Sequence, residues 1–166
     1  MPLTVSNPRD LYLALLGDLL FVERQLSFQV LPELIKEVRD PELAGLLGDH
    51  VEPTKRHAEA LEQVFRLAGA EPSSNHSDPL VALVEQHRQL SGSIVEPRLA
   101  DIFHAVAAAH SEHYEIAAYR ALIPLARALG QDDAADHLKR NLSDEEEALA
   151  GLERIVSELT SRAVTA

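Results

Sequence analysis

Cysteine and tryptophan are absent from these 166 residues, and methionine occurs once. Without thiols there are no disulfides, thiolate metal sites, iron–sulfur clusters or cysteine nucleophiles, so any metal must be held by oxygen and imidazole. Positive charge is scarce: 15 Lys and Arg stand against 27 Asp and Glu, a formal net charge of -12. That balance repels a phosphate backbone and no basic cluster stands out against it, so nucleic acid is not expected as a partner. Long apolar runs are missing too. Every hydrophobic stretch is broken by charge well short of a bilayer span, and the opening MPLTVSNPRD has neither the basic nor the apolar segment of a leader. The expectation is a soluble, cytoplasmic protein with no membrane partner. Alternating β-branched runs with hairpin turns are absent, as are HExxH, P-loop, GxSxG and GxGxxG motifs. Zincin, nucleotide-binding and α/β-hydrolase readings therefore lack support.

What is present is helical periodicity. With 46% hydrophobic residues the chain is long enough for one well-buried domain and short for two, so 1–166 reads as a single domain. Asn7-Pro8 supplies an N-cap and a helix-opening proline. Apolar periodicity then runs from Leu11 to about Val38, with Pro32 expected to kink the last turns. Asp40-Pro41-Glu42 repeats the start signal for a second pattern that ends at Leu67, before Gly69, and is interrupted by Pro53. GAEPSSNHSDP is a polar connector, and PLVALVEQHRQL is a short helical segment closed by SGS. A third long helix spans roughly Pro97 to Leu129, with a bend at Pro124 and a stop at Gly130. The fourth runs from about Asp132 to Val164. Four long helices with one long crossover between the second and third predict an all-α, ferritin-like four-helix bundle whose crossover carries a short extra helix.

The apolar seams of these helices are interrupted by ligand-type residues. In the third helix Ile102, Ala105, Ala109, Ile116, Tyr119, Ile123 and Ala126 step by threes and fours, and the vacant step is Glu112. Glu23 fills the gap in the first stripe, between Leu19 and Leu26, and Glu145 the gap in the fourth, between Leu142 and Leu149. The second stripe reads Leu43, Leu46, His50, Pro53, His57, Leu61, Val64, so both histidines face the other helices. A single seam Glu is more often a boundary residue with its head in solvent, and a lone seam His more often a satisfied core residue. Coincidence on all four helices changes the weighing. A buried, unpaired carboxylate costs several kcal/mol, so it survives protonated, hydrogen-bonded, paired or metal-bound.

Glu23, His50, His57, Glu112, Glu115 and Glu145 are therefore the candidate metal ligands, an oxygen and nitrogen set suited to iron or manganese. Glu112 and Glu115, three residues apart, share a face on which both could reach a dinuclear site. His50 and His57, about 10 Å apart along the axis, are too distant to bind one ion together. His110 and His113 lie on a neighbouring face, and His76, His87, His104 and His137 read as ordinary loop or surface residues. No catalytic residue is identifiable.

The stretches RDLYLALLGDLLFVERQLSFQVLPEL, ELAGLLGDHVEPTKRHAEALEQVFRLAGAEPSS, EHYEIAAYRALIPLARALG and NLSDEEEALAGLERI together resemble the YciF/YciE family of bacterial ferritin-like stress proteins. The resemblance implies a ferritin-like bundle, a homodimer and a di-metal site. It carries the family's first-helix acid onto Glu23, its second-helix histidine onto His50, its third-helix motif onto Glu112 to Glu115, and its fourth-helix acid pair onto Asp144 and Glu145. One departure stands out: Pro53 precedes Thr54 where the family usually has Glu, which removes a ligand and distorts the backbone. Two functions follow. One is a stress-response binder of iron or manganese, with oxidase or peroxide-consuming chemistry left open. The other is a metal-free helical dimer acting as an interaction module with a degraded site.

Overall fold

A computed structural model describes residues 5–165, so the first four residues of the opening stretch lie outside the description. Among the described residues six α-helices follow one another: α1 (Pro8–Gln25), α2 (Leu31–Glu37), α3 (Pro41–Leu67), α4 (Asp78–Ser91), α5 (Pro97–Ala128) and α6 (Asp132–Val164), with a π-helical turn, Leu26–Val30, joining α1 to α2. There is no strand among the described residues, and none of the helices is long and apolar enough to cross a membrane.

Local chemistry sets the ends. Asn7 Oδ1 accepts the Asp10 amide at 2.9 Å, and Asp40 Oδ1 accepts those of Glu42 and Leu43, each at 3.1 Å. Each cap is followed by proline at the first helical position, where its missing N–H costs nothing. The carboxyl ends of α3 and α5 close identically. Gly69 and Gly130 take the left-handed conformation (φ 67° and 73°), and the following amide reaches back to the carbonyl of Phe65 or Ala126, respectively. This is the paired-bond termination that glycine permits.

The first long helix differs from a simple proline kink. Its strain is taken up before Pro32, in a wide turn where the Leu31 amide bonds the Leu26 carbonyl five residues back. The missing N–H and the ring of Pro32 make a regular ladder impossible there, and a π turn absorbs the mismatch. At Pro53 and Pro124 the helix continues through the proline. The Thr54 hydroxyl occupies the neighbouring acceptor, donating to the His50 carbonyl at 2.8 Å.

α1 packs on α3 and α5, and α6 packs on the same two helices, so α3 and α5 lie diagonally across the bundle. The connection between them runs the length of the bundle as a ferritin-type crossover, from the end where Arg9 donates to the Ala68 carbonyl to the end where the Arg39 amide donates to Asp101, and α4 rides on α5 along the way. The crossover is pinned to α1 by Asn75, whose amide bonds the Gly17 carbonyl (2.9 Å) and whose Nδ2 bonds the Ala14 carbonyl (3.0 Å). A Cβ at Gly17 would stand 2.4 Å from that Nδ2, so only glycine allows this approach.

Tyr12, Leu16, Leu19, Leu43, Leu61, Tyr119, Leu122 and Leu138 are wholly inaccessible. At about 1.5–3 kcal/mol for each large apolar side chain, such burial supplies the stabilisation against which the interior polar residues are held. The stripe of α3 turns slightly from the expected one, with Leu47 buried and Leu46 half-exposed. On α6, Asn141 rather than Leu142 faces inward.

Candidate metal centre

The seam acids all end inside the bundle. Glu23, Glu115 and Glu145 are 0% exposed, Glu112 3% and His57 2%, while the His50 side chain reaches 10%. Each comes from a helix that turns its apolar stripe inward, so burial of the neighbouring leucines carries the carboxylates in with them.

Glu145 is the hub. Its Oε2 lies 3.0 Å from His50 Nε2, and its Oε1 lies 2.6 Å from His57 Nδ1. Glu112 Oε1 approaches the same His50 nitrogen at 3.6 Å, and Glu23 Oε2 the same His57 nitrogen at 3.6 Å. Two triads result, His50–Glu112–Glu145 and Glu23–His57–Glu145, within each of which one ligand atom per residue lies inside 4.8 Å of the others. The histidines serve different triads, as their spacing requires, although their rings lean to a centroid separation of 6.3 Å. Glu115 stands outside both.

The directions of these atoms are as informative as the distances. Neither Glu145 oxygen meets its imidazole in hydrogen-bond geometry, and Glu23 Oε2, Glu112 Oε2 and both Glu115 oxygens also lack hydrogen-bond partners. Buried polar atoms left this way are costly unless something else satisfies them. The remaining contacts orient the cluster. The Tyr119 hydroxyl donates to Glu23 Oε1, and Asn141 Nδ2 donates to the Tyr119 oxygen at 3.0 Å. On the far side of the His57 ring, Nε2 meets Asp144 Oδ2 at 3.1 Å, the kind of outer contact that fixes a ligating imidazole.

Four buried carboxylates face two imidazoles, so full ionisation would leave excess negative charge even with both rings protonated. Burial and the Glu145 charge raise the Glu23 carboxyl, and the same causes hold Glu112 and Glu115 well above the usual carboxylate range. Glu145 goes the other way. Burial disfavours its charge, but His50 and His57 outweigh that and bring it down to about 2. Burial likewise opposes the His57 cation, yet Glu145 and Glu23 lift that ring to about 11. Burial and the adjacent Glu23 keep the Tyr119 phenol far above its ordinary range. An oxygen-rich buried cluster with excess negative charge and unpartnered carboxylate oxygens is one that a divalent cation fits.

Two sequence expectations need correction. His104 is not a surface residue: it is 3% exposed, and its Nδ1 lies 2.9 Å from Nε2 of a half-buried His87. Single-helix periodicity missed both because the partner of each ring comes from another helix. Tyr119 read as an apolar stripe member, and its polar role was hidden for the same reason. The one available signal was its place a turn beyond Glu115. His110 and His113 are exposed and form no cluster with the buried acids.

The sequence pattern of the family described as Domain of unknown function (DUF892) matches residues 7–165. Protein YciF of Escherichia coli (strain K12) is 30% identical over 149 residues, covering 86% of each chain. Its crystal structure, that of the E. coli stress protein YciF, aligns with a TM-score of 0.89 at 26% identity, over 95% of this chain and 99% of that one. YcfI from Rhodopseudomonas palustris aligns with a TM-score of 0.88 at 31% identity, over 92% and 97% of the two chains. A Xanthomonas campestris protein shares the fold at 20% identity and a TM-score of 0.68, over 95% of this chain and 99% of that one.

Proposed function

The chain belongs to the DUF892 family, and on that premise we propose that it is a cytoplasmic, single-domain, ferritin-like stress-response protein that binds a pair of iron or manganese ions inside its bundle. The observation that carries this reading is Glu145, one buried carboxylate with an imidazole at each oxygen and a further acid beside each imidazole. In this assignment His50 and Glu112 would hold one ion and His57 and Glu23 the other, Glu145 would contribute to each, and Glu115 would be a further buried oxygen donor. When bound, such ions would supply redox chemistry.

The residues themselves determine how binding depends on pH. Ligands must be deprotonated, but Glu23, Glu112 and Glu115 hold their protons more tightly than ordinary carboxyls and His57 holds one up to about pH 11. Protons therefore compete with metal. Manganese titrated by calorimetry in buffers of different ionisation enthalpy is expected to show two ions per chain, net proton release, and affinity that falls from about pH 8 to about pH 6. Affinity independent of pH would contradict these ligands. No binding at all would favour the second reading, a metal-free helical dimer serving as an interaction module, which Pro53 supports by standing where a further acid is expected.

A homodimer is part of the proposal. It is supported by Leu11 and Leu15, one turn apart on α1 and 41% and 37% exposed, and by Phe28 at 70% exposed. Light scattering at micromolar concentration should return twice the chain mass, and a monomer mass would overturn it.

A further inference from the structure

Away from the bundle interior, three ligand-type side chains from three separate helices meet at the crossover: Glu37 at the end of α2, His87 on α4 and His104 on α5. One ligand atom from each lies within 4.8 Å of the others. We propose that this trio is a second metal site, for a divalent ion of the zinc class, whose occupation staples α4 to the bundle.

The donor set differs from that of the interior. Two imidazoles and a single carboxylate, with a remaining position open towards solvent on the side of exposed Glu37, match the coordination preferred by zinc rather than the carboxylate-rich surroundings suited to iron or manganese. The rings are already held for it. His87 stacks on Phe103 with centroids 5.4 Å apart and planes 9° from parallel, and the Ser91 hydroxyl, 3.2 Å from His87 Nε2, would yield that nitrogen to the ion. His104 is fixed by burial, with Asp101 nearby accepting the Arg39 amide at 2.9 Å. His87 Nε2 and His104 Nδ1, 2.9 Å apart, share one hydrogen in the absence of metal. Two ring nitrogens on a tetrahedral zinc sit about 3.3 Å apart, so the rings need part by only a few tenths of an ångström to admit the ion. Burial lowers the basicity of both rings, which favours the neutral form that ligates.

The place of the trio gives the ion a mechanical consequence. α4 buries only Leu80 fully, yet it forms one wall of a groove of about 490 Å³ whose other walls come from α1, α2 and α5. Few apolar contacts hold that wall, so a ligand bond through His87 would add a large share of its attachment.

The test compares the full-length protein with His87→Ala, a half-buried site, and Glu37→Gln, an exposed one. After chelator treatment, each is titrated with zinc by calorimetry and with cobalt by visible absorption, and hydrogen exchange of α4 is followed with and without zinc. The unmodified chain should take up one zinc per chain more than His87→Ala. It should show a cobalt d–d spectrum that His87→Ala loses and Glu37→Gln weakens, and its α4 amides should exchange at least tenfold more slowly with zinc. Ions in the bundle interior contribute equally to all three proteins and cancel in the comparison, so an extra ion lost with His87 supports this site even if the interior binds none. Equal zinc uptake by the unmodified and His87→Ala proteins, or α4 exchange unchanged by zinc, would overturn it. Should His87→Ala fail to fold, Glu37→Gln carries the same comparison at the exposed ligand.

Discussion

Glu145→Gln should remove both interior ions, whereas Glu112→Gln should remove only the one beside His50. The amide has nearly the shape of the carboxylate, so packing is kept, but it cannot offer a negative oxygen to each imidazole. The same change is expected to destabilise the metal-free protein by roughly 3 kcal/mol, because it strips a buried charge pair of one member. The sign follows from His57. Its ring is raised to about 11, so the stability it contributes is complete below its unfolded value, near 6.5, and is lost as pH rises towards 11. At neutral pH most of it is present and is what Glu145→Gln forfeits. The raised Glu23, Glu112 and Glu115 also favour the fold at low pH and weaken it as pH climbs past the ordinary carboxyl range. Removing the neighbouring Glu145 charge relieves part of that, which keeps the loss at the lower end of the range. Metal content with urea unfolding at neutral pH reads both effects. One ion retained at undiminished affinity would disprove the shared-carboxylate assignment.

Substitution of Pro53 separates backbone from ligand effects. Pro53→Ala restores an N–H for the Asp49 carbonyl and is expected to stabilise the metal-free chain by up to about 3 kcal/mol, the helix-interior difference between the two residues. Pro53→Glu restores the same bond and also places an acid three residues from His50 and four from His57, on the face both rings occupy. Without metal it should melt below Pro53→Ala, since it adds negative charge to a buried cluster that already suppresses ionisation at three acids. With manganese the order should reverse, with binding tighter than in the unmodified chain by about tenfold or more, near 1.4 kcal/mol. Melting curves with and without manganese decide the matter. A destabilised Pro53→Glu that binds nothing would support the interaction-module reading instead.

The helices were legible because their signals are local. Asn7-Pro8, Asp40-Pro41, Gly69 and Gly130 act on backbone groups within a turn of themselves, and each sits at or within two residues of an observed helix boundary. The interior acids were legible for a related reason. Helical periodicity states which side of each helix turns inward, so Glu23, Glu112 and Glu145 announce themselves as breaks in an apolar stripe. Pro32 shows the limit: the sequence marks that the ladder must fail there, but whether a kink or a π turn absorbs the failure depends on how Leu31 and Leu34 pack.

Which buried groups meet is a different kind of fact. Nothing in the spacing of His50 and His57 says that they reach opposite oxygens of one carboxylate 88 residues or more further along the chain. Nor does it say that Glu115 remains without a partner, that Tyr119 turns its hydroxyl to Glu23, or that His87 and His104 face each other. Those outcomes depend on helix rotation, crossing and the path of the crossover, which are set by packing among leucines and small residues on all the helices at once. Periodicity along one helix fixes direction to within a face. Hydrogen bonding and metal coordination demand agreement within about half an ångström, and only the assembled bundle provides it.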